Sequence, residues 1–347
     1  MKEFVKLSHG SGGVEMMELL EKLIVPIFSR SKPPEGFVGL EYMDDGVAIP
    51  LPGGGYLVVS TDSYTVKPYF FPGGNIGVLA AAGSINDVLM MGGKPVAALD
   101  SIVVEEGFPL DDLKVIVDSM SEVFSSEGVI VMGGDFKVMP KGSLDGIIIN
   151  TVVVGFAERL IVDAPKPGDK IVVSGPVGDH GAVILLYQLG AEAEEERRRS
   201  RLKSDVRPLS KLMLPLVERY GRYIHAASDP TRGGLAMVLN EWARKSGSVI
   251  VVEEDNVPIR SEVERYAGIL GIDPLYLASE GVAVLSVDPS VAESVVEYVR
   301  SLGFTEASIV GEVRKAEKYR GYVLLRSSVG GLRILEPPRG ELVPRIC

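Results

Sequence analysis

The chain is poor in the groups that announce a disulfide, zinc or redox protein. Among its 347 residues there is one cysteine, Cys347, at the last position. With no second thiol, no intrachain disulfide can form. There is no CxxC, no HExxH and no GxSxG, so zinc and serine-hydrolase chemistry lack support. No stretch reaches the ~18 apolar residues of a membrane span. The nearest, residues 147–156, is interrupted by Asn150, Thr151 and Gly155. Residues 1–6 lack the apolar core of a signal peptide. Positive charge is also short: 36 Lys and Arg against 47 Asp and Glu leave −11, which argues against the basic stripe of a nucleic-acid binder. These absences together predict a soluble cytoplasmic protein with its thiol kept reduced and with no nucleic-acid or membrane partner.

Glycine is in excess. There are 40, above the average usage of about 7%, and several stand beside aspartates. Apolar strands run into acidic ends at Thr61-Asp62-Ser63 and at Gly133-Gly134-Asp135. Asp44 and Asp45 precede a further strand, Asp87 lies in a helical segment after the turn at 71–75, and Asp229 precedes Pro230-Thr231-Arg232-Gly233-Gly234. Such aspartates are usually turn formers or helix caps. Here the neighbouring glycines also let a ligand approach the backbone, and hard cations such as Mg²⁺ take carboxylate oxygens. Two glycine-containing loops open helices, Gly10-Ser11-Gly12-Gly13 and the one carrying Arg232, a geometry that suits anions. Glu280, between small residues just before a strand, reads as a cap or as an acid/base.

Strands and helices alternate in both halves, with a proline- and glycine-rich break at 163–169. An α/β and α+β two-domain chain is expected: residues 1–160, residues 161–330 and a mobile tail, 331–347. The β-branched run at 147–154 should be a central strand, Trp242 should be core, and the charge run at 192–201 should be a solvated helix face or loop. The tail holds prolines at 337, 338 and 344. From Pro337 onward it spans roughly 30 Å when extended, enough to carry a thiol into a cleft.

Several segments follow the order of one family: Thr61-Asp62-Ser63-Tyr64, residues 70–77, Asn86-Asp87, Gly134-Asp135-Phe136-Lys137, residues 228–234, Ala278-Ser279-Glu280-Gly281 and the final Pro344-Arg345-Ile346-Cys347. On these the chain resembles the HypE family of hydrogenase maturation proteins, in the aminoimidazole-ribonucleotide-synthetase-like (PurM-like) superfamily. Two departures show: Asn75 where aspartate is expected and Tyr64 where histidine is expected.

The resemblance implies an N-terminal PurM-like ATP-binding lobe that dimerises into a β-barrel, followed by a PurM-like α+β lobe. It implies an ATP-dependent dehydratase acting on its own tail. A carbamoyltransferase, HypF, loads Cys347, the S-carboxamide becomes a thiocyanate, and the cyano group passes to iron on the HypC–HypD complex for [NiFe] hydrogenase. Mg²⁺ is then expected on Asp45, Asp62, Asp87, Asp135 and Asp229, with Asp44 possibly sharing. Nucleotide contacts are expected from Gly10, Gly12, Gly13, Asp62, Asn86, Asp87, Asp135 and Arg232. Cys347, Glu280 as general base and Lys137 polarising the carbamoyl oxygen form the expected catalytic set. Alternatives are another superfamily activity (selenophosphate synthetase, thiamine-monophosphate kinase or aminoimidazole ribonucleotide synthetase) or an ATP-gated scaffold without chemistry.

Overall fold

The computed structural model describes residues 4–30, 32–189 and 193–340. Two sheets organise the chain. The first is built from β1 (Val47–Pro50), β2 (Tyr56–Tyr64), β5 (Lys94–Glu105), β6 (Ile130–Met139) and β7 (Ile147–Ala157), with β3 (Phe70–Phe71) and β4 (Gly74–Asn75) forming a separate small ribbon. Its order is β1-β2-β7-β5-β6, so the β-branched run does occupy the centre. Only β5 and β6 run parallel; the helix Leu110–Ser126 makes that crossover.

The helix Ile76–Met90 lies across this sheet and is apolar nearly all round, so that only Val78 of its fifteen residues escapes full burial. Its small residues permit close packing: a Cβ at Gly83 would meet the Tyr64 hydroxyl at 2.3 Å. Asn75 starts the helix, its Oδ1 accepting from the Gly77 and Val78 amides at 2.8 and 3.1 Å. A residue that departs from the family pattern thus has a plain structural task as an N-cap.

The second sheet holds β8 (Lys170–Val173), β9 (Ile224–Ser228), β10 (Val249–Glu253), β11 (Val284–Val287), β12 (Ser308–Arg314), β13 (Val323–Arg326) and β14 (Leu332–Leu335), in the order β14-β13-β10-β12-β8-β11-β9. Trp242, on the helix Gly234–Ser246, is fully buried in this lobe's core. The charge run forms the helix Glu194–Arg199, with Arg198 and Arg199 paired one turn back to Glu194 and Glu195.

One hydrophobic cluster continues through both lobes, from Val58 and Ile85 to Leu212 and Leu285. Asn86 crosses the same boundary. Its Nδ2 donates to the Arg207 carbonyl at 3.1 Å and the Glu280 carbonyl at 3.4 Å, and its Oδ1 accepts from the Leu209 amide at 2.8 Å.

Two expectations are corrected. Residues from 331 do not begin a free tail, because Leu332–Leu335 pairs with β13 as an edge strand and residues 336–340 are held by hydrogen bonds to the body of the chain. Residues 341–347, including Arg345 and Cys347, lie outside the described residues. Among the described residues, no helix is long and apolar enough to cross a membrane.

Candidate active site

Three acidic side chains from distant parts of the sequence meet between the lobes. Asp45 comes from the loop before β1, Asp87 from the helix Ile76–Met90, and Asp229 from the loop after β9. One carboxylate oxygen of each lies within 4.8 Å of those of the other two. Asp87 and Asp229 are buried and Asp45 is half-buried. Ser60 on β2 donates to Asp87, and Ser228 donates to Asp45 at 3.3 Å. Asp45 Oδ2 and Asp229 Oδ2 are buried without a hydrogen-bond partner.

Burial is the first cause of what this does to their charge. It pushes Asp45 and Asp87 well above the usual carboxylate range, with repulsion from Asp229 adding to both and from Asp62 adding to Asp87. Asp229 is raised to about 7 by burial and by Asp62. Orphaned oxygens on carboxylates that repel one another are a poor end state for a folded chain but a good donor set for a hard divalent cation. The residues fit such an ion.

Further groups face the trio. Asp62 on β2 is raised by burial, and the Arg232 guanidinium opposes the shift; the Tyr64 hydroxyl donates to it at 3.4 Å. Glu280 is only 2% exposed. Burial, then Asp229, Asp205 and Asp62, drive it well above its ordinary range, with Arg232 again opposing. Asp205 grips the Glu280 and Gly281 amides at 3.2 Å each. Glu280 is therefore no loop cap: its backbone is held, and its acid group sits among the other carboxylates.

The two neighbouring aspartates separate cleanly. Asp44 spends its oxygens on the amides of Asp45 and Asp163, both at 3.0 Å, while Asp45 enters the trio. Lys245 steadies their loop by donating to the Met43 carbonyl at 2.7 Å, next to Met43's left-handed φ of 46°.

Three expected contacts fall elsewhere. Asn86 is fully buried with its amide spent on backbone groups, so it is a staple between lobes and has nothing left for a nucleotide. Asp135 and Lys137 are exposed on β6 and paired with each other, outside the trio. The Gly10–Gly13 loop opens a helix whose first amide, Val14 N, is occupied by the Pro338 carbonyl at 3.0 Å. Glycine is needed there for packing: a Cβ on Gly12 would strike Arg232 Cβ at 2.3 Å, and one on Gly13 would lie 2.7 Å from the Pro338 oxygen. Reasoning from sequence passed over Ser60, Asp205 and Lys245, which carry no local signal beyond their polarity.

Residues 43–157 match the N-terminal domain model of AIR synthase related proteins and residues 166–324 the C-terminal one. The chain is 38% identical to the carbamoyl dehydratase HypE of Rhizobium leguminosarum bv. viciae, over 99% of this chain and 95% of that protein. The chain belongs to the HypE family. Solved structures agree. A HypE–HypF complex matches with a TM-score of 0.81 at 37% identity, covering 92% of this chain and 99% of that one. A HypE structure in complex with ATP matches at 0.79 and 36%, covering 99% and 100%. Family membership places the trio, Arg232 and Glu280 in a chain built like known ATP-binding relatives.

Proposed function

We propose that this chain uses ATP to dehydrate a carbamoyl group carried on Cys347, turning the S-carboxamide into a thiocyanate. The observation that carries this reading is the Asp45–Asp87–Asp229 trio with its two unpaired oxygens, beside Glu280, in a member of the HypE family. Mg²⁺ is the cation assigned to the trio, since it normally arrives with phosphates attached. Bound there, it supplies positive charge that offsets both the phosphates and the crowded carboxylates. Arg232 and Asp62 orient the triphosphate around it.

An amide oxygen leaves poorly, so it must first become a phosphate ester. The carbamoyl oxygen takes the terminal phosphoryl group, the bond to ADP breaks and one N–H proton departs, leaving an O-phosphorylated imidate. Loss of the second N–H proton expels phosphate and closes the C≡N bond. The sum is carboxamide plus ATP giving thiocyanate, ADP and phosphate, with the oxygen of the lost water leaving in the phosphate. Glu280 is the assigned proton acceptor. Burial makes its carboxylate more basic, and Asp205 fixes the peptide that carries it.

Lys137 and Asp135 belong to the assembled pair in this reading. All ten residues of β6 are exposed, and Ile130, Met132, Phe136 and Val138 line its open edge. An apolar unpaired edge of this length invites a second strand. A homodimer closing two such sheets into a barrel covers it and puts Lys137 at the junction, where it polarises the carbamoyl oxygen. HypF is the assigned source of the carbamoyl group and HypC–HypD the assigned acceptor of the cyano group.

The decisive measurement is intact mass after adding Mg-ATP to the carbamoylated protein. The expected result is loss of one water from the last residue, with one ADP and one phosphate formed per nitrile. A chain that hydrolyses ATP yet keeps its carboxamide overturns the reading.

A further inference from the structure

Three segments that are far apart in sequence meet at one junction: residues 11–15, Arg232-Gly233 and Pro338-Arg339-Gly340. The Ser11 hydroxyl donates to the Gly340 carbonyl at 3.1 Å, and the Gly340 amide donates to Glu15 Oε2 at 3.0 Å. The Val14 amide donates to the Pro338 carbonyl at 3.0 Å. Both polar groups of the Gly340 peptide unit and the carbonyl two residues earlier are therefore held by one turn of chain. Gly12, Gly13, Gly233 and Pro338 are buried. A Cβ on Gly233 would approach both the Gly12 oxygen and Pro338 Cγ at 3.1 Å. The junction abuts Arg232, whose charge acts on Asp62, Asp87, Asp229 and Glu280.

We infer that Ser11 and Glu15 are positioning residues that clamp the stem of the C-terminal segment at Gly340, so that the last seven residues leave the protein beside the guanidinium of the active site. The turn that sequence suggested for phosphate thus holds polypeptide. Residues 341–347 reach about 25 Å at most when extended, so the place where they start decides which groups the thiol can meet. With the clamp open, the stem is free from Glu336, just after β14 ends at Leu335. The arm then lengthens from seven residues, 341–347, to twelve, 336–347. Effective concentration falls roughly as the −3/2 power of tether length, about twofold for that change. Loss of a fixed exit direction adds to it.

The inference rests on the proposed dehydratase reading, and the experiment separates the two. Ser11→Ala/Glu15→Ala is compared with the unaltered full chain and with Ser11→Thr, which keeps the hydroxyl. Nitrile formation is followed in single turnover from the protein's own carbamoylated tail, and separately from a carbamoylated peptide of residues 341–347 added to the unloaded chain. Tryptic cleavage after Arg339, whose side chain is already exposed, reports the clamp directly. Opening should raise that cleavage roughly 10-fold, the usual effect of losing a charge-assisted hydrogen bond. The expected pattern is faster cleavage, an own-tail rate reduced about twofold or more, an unchanged peptide rate, and normal behaviour in Ser11→Thr. Gly13→Ala, whose methyl would press on the Pro338 carbonyl, should reproduce the pattern if the double variant folds poorly. Unchanged cleavage, an unchanged own-tail rate, or equal losses in both rates overturns the clamp. If the unaltered chain makes no nitrile from either substrate, the dehydratase reading fails, and the cleavage result alone then decides whether the clamp exists.

Discussion

Asp87 and Asp135 sit on the same lobe and in sequence both read as aspartates in glycine-bearing apolar stretches. They end in opposite environments. Asp87 is buried with Asp45 and Asp229, and its charge is suppressed. Asp135 is in solvent, held below the usual carboxylate range by its hydrogen bond to Lys137. If both members of a pair in the trio ionised at 4.8 Å, the repulsion would be roughly 3 kcal/mol at an effective dielectric of 20. That stored repulsion is what a cation relieves. The exposed pair stores nothing comparable and gains purpose only from whatever covers β6.

The sharpest way to break this contrast is Glu280→Gln. Removing the buried base should lower nitrile formation by about 10²–10⁴-fold while ATP affinity by calorimetry stays within about twofold. Next is Asp229→Asn, expected to lower the same rate by about 10²–10³-fold. It should also raise the melting temperature of the metal-free protein, because one repelling charge is gone. A lower melting temperature would mean that the trio is a structural network after all. Lys137→Met should reduce turnover by about tenfold or more and leave the melting temperature within about a degree, as expected for an exposed pair. Phe136→Glu should shift sedimentation toward the single chain.

The smallest effect is on pH dependence. Asp229 has a folded value of about 7 against an ordinary 3.8, so the folded state holds the proton more tightly than the unfolded one. Its stabilising contribution is full below about pH 4 and is lost as pH rises toward 7. Metal-free protein should therefore melt at lower temperature at pH 7 than at pH 5, with Mg²⁺ narrowing the gap. A curve with the same slope in Asp229→Asn assigns the effect to other groups.

Much of the frame was legible in sequence, for reasons that can be named. The β-branched run at 147–154 could only be a buried strand, and it lies between β2 and β5. Trp242 and the acidic strand ends were visible from their neighbours. Asn86 was misjudged because its position beside Asp87 suggested shared work, whereas one turns toward the trio and the other toward Arg207 and Leu209. The sequence also could not choose between Asp44 and Asp45; that depends on the Asp163 amide, more than a hundred residues away. Residues 331–340 looked loose because prolines and glycines suggest a tail, yet Leu332–Leu335 had an open strand to pair with.

The Asn86 staple has a mechanical consequence. It ties one helix to two carbonyls and an amide of the opposite lobe, amid a continuous apolar cluster. Swinging the halves apart would strip all three partners and leave them dry. The vault that holds the acids therefore stays shut as a unit, and whatever reacts inside has to be threaded in through its doorway.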